Sequence, residues 1–222
     1  MTDIVLASNN RKKIAELIDL IKPLADVNVL SLSDINFHDE IIEDGSSFEE
    51  NSLIKANTPA SLGYIGIADD SGLAVDCLGG APGIFSARYS GLNATDEDNR
   101  KKLFDDMKEV PEEDRTARFV CTMSIVLPKD CPFTIPKKWR ISEELAEKVG
   151  IEPERAMTVR GECHGYILTE ERGNDGFGYD CMFWYPDFAA TFAEVPGEMK
   201  AKVSHRGIAM REFTNRLAEI LR

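Results

Sequence analysis

Two adjacent aspartates, Asp69 and Asp70, follow a short apolar run in the stretch GIADDSGLAV. Neighbouring carboxylates repel each other, so the pair predicts either a turn with one side chain exposed or a site for a hard cation. Mg²⁺ is typically held by one or two carboxylates together with water and substrate phosphate oxygens. Further acidic residues precede an upstream helix: Glu43, Asp44, Glu49 and Glu50. A turn and an acidic first helical turn account for most of these four, whereas the aspartate pair favours the cation site.

A polar turn, SNNRKK, lies near the start of the chain between an apolar run and a helical pattern. A turn from a strand into a helix offers free backbone N–H groups and the positive end of the helix dipole to an anion. Lys13 and the side chains of Ser8 and Asn10 would add donors to a phosphate chain. The spacing is not that of a Walker loop. A capped helix with a solvated basic first turn explains the segment equally well.

The glycine-rich segment GNDGFGYD, residues 173–180, contains two aromatic residues and ends on an acid. Phe177 could stack on a nucleobase while Asp180 accepts a hydrogen bond from the edge of that base. The alternative is a glycine turn that leads into the strand YDCMFWY, with Phe177 and Tyr179 in the core. The residues alone favour the second interpretation.

The segment KAKVSHRG, residues 200–207, opens the last predicted helix. Ser204 is a plausible N-cap, and His205 and Arg206 fall in the first turn. A lone histidine at such a position is usually structural or solvated, although a Ser–His–Arg–Lys cluster suits recognition of carbonyl oxygens or phosphate. A Ser/His hydrolase is excluded because Ser204 and His205 are adjacent and no nucleophile elbow is present.

The elements that must position these residues alternate between strands and helices, which predicts an α/β protein with a mixed sheet. Capping residues mark three helix starts: Ser47 with Glu50, Thr95 with Asp98, and Ser204. Pro59 is expected to end or kink the first of these helices early. The apolar runs predict strands at residues 3–7, 63–68, 117–127 and 157–168, and a short helix is expected within residues 141–150.

Composition limits the class of protein further. The 222 residues are 43% hydrophobic and 29% charged, which is ordinary for a soluble globular protein. A formal net charge of −13 argues against a nucleic-acid or anionic-membrane partner and is compatible with recruitment of a divalent cation. No apolar run could cross a membrane and no signal peptide is apparent, so a cytoplasmic location is expected. Five scattered cysteines without C-x-x-C spacing predict free thiols.

Taken in order, five segments resemble motifs of the Ham1/inosine-triphosphate pyrophosphatase family: SNNRKKIAEL, EDGSSFEENSLIKA, ADDSGLAVDCLGGAPGIFSARYSG, GNDGFGYD and KAKVSHRGIAMREF. The resemblance runs from the first strand to the last helix. It implies one domain over residues 1–222 with a Maf/Ham1-like fold, in which a long mixed β-sheet and flanking helices form two lobes around a central cleft. It also implies a homodimer. The implied activity is Mg²⁺-dependent hydrolysis of ITP, dITP and XTP to the nucleoside monophosphate and pyrophosphate, which removes them from the nucleotide pool.

The resemblance also assigns roles to individual residues. Asp70 is the implied catalytic base that orients the attacking water, Glu43 and Asp70 are the implied metal ligands, and Ser71 is an implied substrate contact. The implied phosphate-binding turn comprises Ser8, Asn9, Asn10, Arg11, Lys12 and Lys13. The implied base pocket comprises Phe177, Gly178, Tyr179, Asp180, Lys200, His205 and Arg206. Donors facing the 6-oxo group, assigned to His205 and Arg206, would be left unpaired by the amino group of adenine.

Three features depart from the family pattern. Cys181 stands where proline is usual, Pro59 interrupts a helix that is usually alanine-rich, and the connection over residues 128–156 is longer than usual. None falls on a matched catalytic position. Two other functions remain open at this point: a nucleotide-binding protein without catalysis, and a pyrophosphatase for other modified nucleotides.

Overall fold

The computed structural model describes residues 2–8, 15, 18, 19 and 27–222 of the chain. Its strands are β1 (Thr2–Leu6), β2 (Val27–Ser31), β3 (Ile65–Val75), β4 (Thr116–Val126), β5 (Ala156–Ile167), β6 (Phe183–Tyr185) and β7 (Ala190–Thr191). Five α-helices lie between residues 27 and 222: α1 (Phe48–Ser61), α2 (Asp96–Met107), α3 (Glu143–Val149), α4 (Gly197–Val203) and α5 (His205–Ile220). The described positions 15, 18 and 19 are also helical, in agreement with the helical pattern that follows the SNNRKK turn.

The strands form one sheet in the order β2-β1-β3-β4-β5-β6-β7. β1 runs parallel to β2 and β3, so that Ile4 lies opposite Val29 and Ile65. β6 runs antiparallel to β5 and β7. Strands of both directions in one sheet flanked by helices confirm the predicted α/β class. β1 reads as a continuous apolar run because Ile4 and Val5 are fully buried, as expected for a parallel strand covered on both faces.

The helix starts follow the predicted caps. The Ser47 hydroxyl accepts a hydrogen bond from the Glu50 N–H at 3.2 Å, and Thr95 and Asp98 form a complete capping box at α2. Ser204 accepts from the Gly207 N–H at 3.2 Å at the start of α5. Pro59 was expected to end or kink α1 early, and the helix does not end there but continues to Ser61. Pro59 lies in the last turn, where its missing N–H costs only one intrahelical hydrogen bond.

Two strand predictions were also wrong in extent. The strand predicted over residues 63–68 continues through the aspartate pair to Val75, so Asp69 and Asp70 lie within β3 rather than at its end. Leu73 and Val75 are fully buried, and this second apolar stretch extends the strand. The strand predicted from Tyr179 begins only at Phe183. The intervening residues form a turn in which the N–H groups of Met182 and Phe183 both donate to the Tyr179 carbonyl.

The chain divides into two compact units. Unit 1 comprises Met1–Asp70, Thr122–Arg160 and Ala209–Arg222, and unit 2 comprises Ser71–Cys121 and Gly161–Ile208. The core of unit 1 is built from buried residues of β1, α1 and β4 and from Ile141 and Ile151 of the connection that follows β4. The core of unit 2 is aromatic and centres on three buried phenylalanines: Phe119, Phe183 and Phe192.

The long connection between β4 and β5 packs into unit 1. It contains α3, and Ile135, Ile141 and Ile151 are buried within it. Its backbone is tied to neighbouring residues, since the Ile141 N–H donates to the Ala156 carbonyl at 3.2 Å. The connection is therefore part of the folded unit. No helix among the described residues is both long enough and apolar enough to span a bilayer.

Candidate active site

Three charged side chains of unit 1 meet at one point. The Lys55 Nζ lies 2.9 Å from the Glu43 Oε2 and 2.9 Å from the Asp70 Oδ1. The side chains of Lys55 and Asp70 are each 13% exposed and that of Glu43 is 31% exposed. We refer to these three residues as the acid–lysine cluster. It brings together the two acids that the sequence resemblance assigned to a metal.

Three different elements carry the cluster. Glu43 lies in the loop before α1, Lys55 lies two turns into α1, and Asp70 lies within β3. α1 packs closely on β3 at Gly66, where a Cβ atom would stand 1.9 Å from the Ala56 carbonyl oxygen. Only glycine permits this approach. Lys55 directly precedes Ala56 in the helix, and this contact therefore holds it beside the strand that carries Asp70.

Burial and charge act against each other in the cluster. Burial raises the pKa of Asp70 above its usual value, and the positive charge of Lys55 offsets this only in part. Burial alone would lower the pKa of Lys55, but the charges of Asp70 and Glu43 outweigh it and the pKa is raised. Lys55 is therefore an ammonium at neutral pH. With both acids ionised, the cluster carries one negative charge that is not compensated within it.

The donor atoms of the cluster fit Mg²⁺. Among the described residues, the buried Asp70 Oδ2 has no hydrogen-bond partner. An orphaned carboxylate oxygen beside a second carboxylate is the kind of donor set from which Mg²⁺ takes its protein ligands. The part of the chain that the structure describes contains no group of three or more His, Cys, Asp or Glu side chains that could hold a metal. The cluster offers two carboxylates, so a Mg²⁺ ion held there would take its other ligands from water and phosphate oxygens.

The other acids near α1 have structural partners. Glu50 accepts hydrogen bonds from the Ser46 N–H at 2.7 Å and from the Ser46 hydroxyl at 2.9 Å. Glu49 accepts from Arg160 at 2.9 Å and from Thr122 at 3.2 Å. These contacts agree with the prediction that most of the acidic set serves the turn and the helix start.

A second cluster lies in unit 2. Asp180 is buried, and its Oδ2 lies 2.6 Å from the Lys200 Nζ and 3.0 Å from the Phe177 N–H. The Lys200 ammonium stands 4.9 Å from the centre of the Phe177 ring, which is 79% exposed. We refer to Phe177, Asp180 and Lys200 as the aromatic–lysine cluster. An exposed aromatic ring beside a fixed cation can stack on a planar ligand.

The two aromatic residues of the GNDGFGYD segment have opposite environments. Tyr179 is buried in the core, and its hydroxyl donates to the Ser86 carbonyl at 2.9 Å. Burial raises the pKa of Tyr179, so it stays protonated. The interpretation that both rings belong to the core is therefore right for Tyr179 and wrong for Phe177.

The backbone beside Phe177 is fastened to α2. The Gly178 N–H donates to Asp96 at 2.8 Å, and its carbonyl accepts from Arg100 at 3.1 Å. Arg100 also bonds to Glu171 at 2.7 Å. The loop that carries Phe177 is thus held at both backbone polar groups of one residue, Gly178.

The remaining predicted site residues are distributed as follows. His205 begins α5 and stacks on Phe119, with ring centres 4.8 Å apart, and Arg206 follows it. Ser71 is exposed in β3. Ser8 follows β1, and its N–H donates to the Leu6 carbonyl at 2.7 Å. Asn9, Asn10, Arg11, Lys12 and Lys13 lie outside the described residues.

One departure from the family pattern is Cys181, which stands where proline is usual. The half-buried Cys181 accepts a backbone hydrogen bond from the Arg172 N–H at 2.8 Å. Burial raises the pKa of the Cys181 thiol to about 11, so it is not a reactive thiolate. All five cysteines are free thiols, as predicted.

The sequence interpretation missed Lys55 and Asn51. A signal was present, since Phe48, Asn51, Ser52 and Lys55 recur at the helical spacing i, i+3, i+4, i+7. Asn51 and Ser52 are fully buried and Lys55 is nearly so. A polar stripe on the inner face of a helix indicates a functional or hydrogen-bonded interface rather than an ordinary core.

Comparison with known proteins agrees with the sequence motifs. The chain matches the model of the Ham1 family over residues 4–216. It is 42% identical over 211 residues to the dITP/XTP pyrophosphatase of Geobacter sulfurreducens, covering 95% of this chain and 94% of that protein. It is 40% identical over 220 residues to the dITP/XTP pyrophosphatase of Desulfotalea psychrophila, covering 99% of this chain and 86% of that protein.

Solved structures give the same result. A HAM1 protein from Coxiella burnetii has a TM-score of 0.83 to this chain at 34% identity, covering 99% of this chain and 100% of that one. Similarity at this level holds over the whole fold. Together with the family match over nearly the whole sequence, it shows that the chain belongs to the Ham1 family.

Proposed function

We propose that the protein hydrolyses non-canonical purine nucleoside triphosphates, namely ITP, dITP and XTP, to the nucleoside monophosphate and pyrophosphate. The observation that carries the proposal is the acid–lysine cluster, in which the Asp70 Oδ2 is buried without a hydrogen-bond partner among the described residues. The relatives named dITP/XTP pyrophosphatase support the substrate class. Removal of these nucleotides from the cellular pool would be the biological role.

The chain's own residues account for the chemistry at phosphorus. Asp70 would accept a hydrogen bond from the attacking water and orient its oxygen toward the α-phosphorus, whose bond to the bridging oxygen then breaks. Lys55 would supply fixed positive charge to the phosphate oxygens. Glu43 and Asp70 would hold Mg²⁺, which supplies Lewis-acid neutralisation of the phosphate charge when bound. The proton of the water ends on Asp70 or solvent, and pyrophosphate leaves.

The aromatic–lysine cluster suits recognition of the base. Phe177 presents an exposed face for stacking, and Asp180 fixes the Lys200 ammonium at 2.6 Å beside it. Together with His205 and Arg206, this ammonium would provide donors to the 6-oxo group of hypoxanthine or xanthine. The amino group of adenine would leave such donors unpaired, which is a strong basis for rejection. Ser8, Ser71 and the turn of residues 9–13 are proposed as further substrate contacts, and the active form is proposed to be a homodimer.

The test is a nucleotide panel with detection of pyrophosphate, in Mg²⁺ and after addition of EDTA. We expect pyrophosphate from ITP, dITP and XTP, a kcat/KM at least about 100-fold lower for ATP, little activity on GTP, and loss of turnover in EDTA. Release of orthophosphate, or turnover that EDTA leaves unchanged, would contradict the proposal. Tight triphosphate binding in Mg²⁺ without turnover would instead show a nucleotide-binding protein.

A further inference from the structure

Asn51 ties the loop that carries Glu43 to α1. It is fully buried in α1, one turn before Lys55. Its Oδ1 accepts a hydrogen bond at 2.9 Å from the N–H of Gly45, which lies two residues after Glu43. This one side chain therefore fastens the loop of a proposed metal ligand to α1.

The loop that carries Glu43 approaches α1 very closely at this contact. A Cβ atom on Gly45 would stand 2.7 Å from the Asn51 Oδ1 and 2.7 Å from the Glu50 Cβ. Only glycine allows the backbone this near, since real Cβ atoms do not make contacts that short. The adjacent Ser46 is held by Glu50 at 2.7 Å. The position of the loop is thus specified by the first two turns of α1.

The other polar atom of the Asn51 side chain is the amide nitrogen, which in a purely structural amide would have a hydrogen-bond partner. Among the described residues, the Asn51 Nδ2 and the Asp70 Oδ2 are both buried and both lack a hydrogen-bond partner. The neighbouring Ser52 offers a contrast, because its hydroxyl is paired with that of Ser124 at 2.6 Å. Buried polar groups without partners are rare, and they concentrate at functional sites.

We propose that Asn51 is a positioning residue that holds the Glu43 loop at the distance from Asp70 required to bind the divalent cation. This inference rests on the proposed function, because it assumes that Glu43 and Asp70 are the metal ligands. Asn51 touches neither substrate nor metal in this scheme. It acts through Gly45, which lies two residues after Glu43.

The test measures Mn²⁺ binding to the protein alone by electron paramagnetic resonance, so the readout does not depend on catalysis. The variants are Asn51→Ala, Gly45→Ala and, as a matched control, Ser52→Ala, which removes a buried hydrogen bond from the next position of the same helix. Loss of a residue that orients metal ligands typically weakens metal binding by about 10- to 100-fold. We expect losses in that range for Asn51→Ala and Gly45→Ala, and a change within about twofold for Ser52→Ala.

A second readout separates positioning from general destabilisation. The Mg²⁺ concentration that gives half-maximal dITP turnover should rise in the Asn51 and Gly45 variants and stay unchanged in the Ser52 variant, while thermal unfolding reports the stability of all three. If Asn51→Ala does not fold, Gly45→Ala decides alone, because it displaces the loop without removing a polar group.

The outcomes distinguish this inference from the proposed function. Wild-type protein that binds Mn²⁺, together with Asn51 and Gly45 variants that bind it as the Ser52 variant does, would overturn the role of Asn51 and leave the proposed function standing. Wild-type protein that neither binds Mn²⁺ nor releases pyrophosphate would overturn both.

Discussion

Successive residues of a strand point to opposite faces of the sheet, so Asp69 and Asp70 within β3 direct their carboxylates away from each other. Asp69 is 6% exposed, and Asp70 faces Lys55. The two carboxylates therefore need no shared cation to relieve their repulsion. Only Asp70 belongs to the acid–lysine cluster, and the two residues should have different roles.

The pair offers a direct comparison by substitution. Asp70→Asn keeps the shape of the side chain but removes the charge and one of the two acceptor oxygens, so we expect kcat for dITP to fall by about 10²- to 10⁴-fold. Asp69→Asn should lower kcat by less than about tenfold, because its carboxylate lies on the other face of β3. Steady-state kinetics at saturating Mg²⁺ give both values, and circular dichroism confirms the fold. Equal losses in the two variants would remove Asp70 from its assigned role.

At the scale of elements, α1 organises unit 1. Its first turn fixes the preceding loop through Glu50, its second turn carries Asn51, and its third carries Lys55. The close contact between Gly66 and Ala56 then seats the helix on β3. One helix thus sets the relative positions of Glu43, Lys55 and Asp70, which explains why it buries Asn51 and Lys55 beside apolar residues such as Leu53.

The contact between Glu50 and Ser46 predicts how stability depends on pH. The Ser46 N–H and hydroxyl lower the pKa of Glu50 below its ordinary value of 4.5. A carboxylate with a lowered pKa stabilises the folded state fully above the unfolded-state pKa, and the stabilisation is lost as the pH falls through the folded-state pKa. Glu50→Gln should therefore cost about 1–2 kcal/mol of unfolding free energy near neutral pH, and progressively less as the pH falls below 4.5 and through the lowered folded-state pKa.

Urea unfolding of both proteins across this pH range measures the difference. The matched control is Glu147→Gln, since Glu147 is an exposed residue of α3. Its substitution should change the unfolding free energy by less than about 0.5 kcal/mol at any pH. If Glu50→Gln lowers the unfolding free energy as much in acid as at neutral pH, the charge of Glu50 contributes nothing to its contact with Ser46.

The sequence predicted the elements well where a local signal defines them. Ser47, Thr95 and Ser204 each cap a helix at the predicted position, because an N-cap is a contact between residues three apart. β3 was predicted too short because its polar centre, DDSG, resembles a turn. Its continuation depends on the burial of Leu73 and Val75, which local pattern does not specify.

The site could be predicted only in part for a similar reason. Motif resemblance found Glu43 and Asp70. These two residues are far apart in the sequence, and the fold brings both of them to Lys55. It did not find Lys55, since a lysine within a helix is usually solvated and only the packing of α1 on β3 shows otherwise. Phe177 and Tyr179 are two residues apart and similar in type. Their opposite environments follow from tertiary contacts that no short pattern encodes.

At the scale of the whole molecule, the two clusters are built by different units with separate cores. The acid–lysine cluster belongs entirely to unit 1 and the aromatic–lysine cluster entirely to unit 2. Each is fixed by contacts within its own unit, since α1 packs on β3 while Gly178 is held by Asp96 and Arg100. Binding of the metal and binding of the base should therefore be separable by substitution.

Two variants test this separation with two ligands. Glu43→Gln removes a proposed metal ligand and should weaken Mn²⁺ binding by about 10- to 100-fold while leaving the affinity for IMP without metal within about threefold. Lys200→Met removes the cation held by Asp180 at 2.6 Å and should weaken IMP binding by about tenfold or more while leaving Mn²⁺ binding unchanged.

In the double variant, the effects of the two substitutions on each ligand's binding free energy should be additive to within about 0.5 kcal/mol, because each cluster is fixed by contacts within its own unit. Electron paramagnetic resonance and titration calorimetry supply the two affinities. A Lys200 variant that loses Mn²⁺ affinity as strongly as the Glu43 variant would mean that the aromatic–lysine cluster takes part in metal binding.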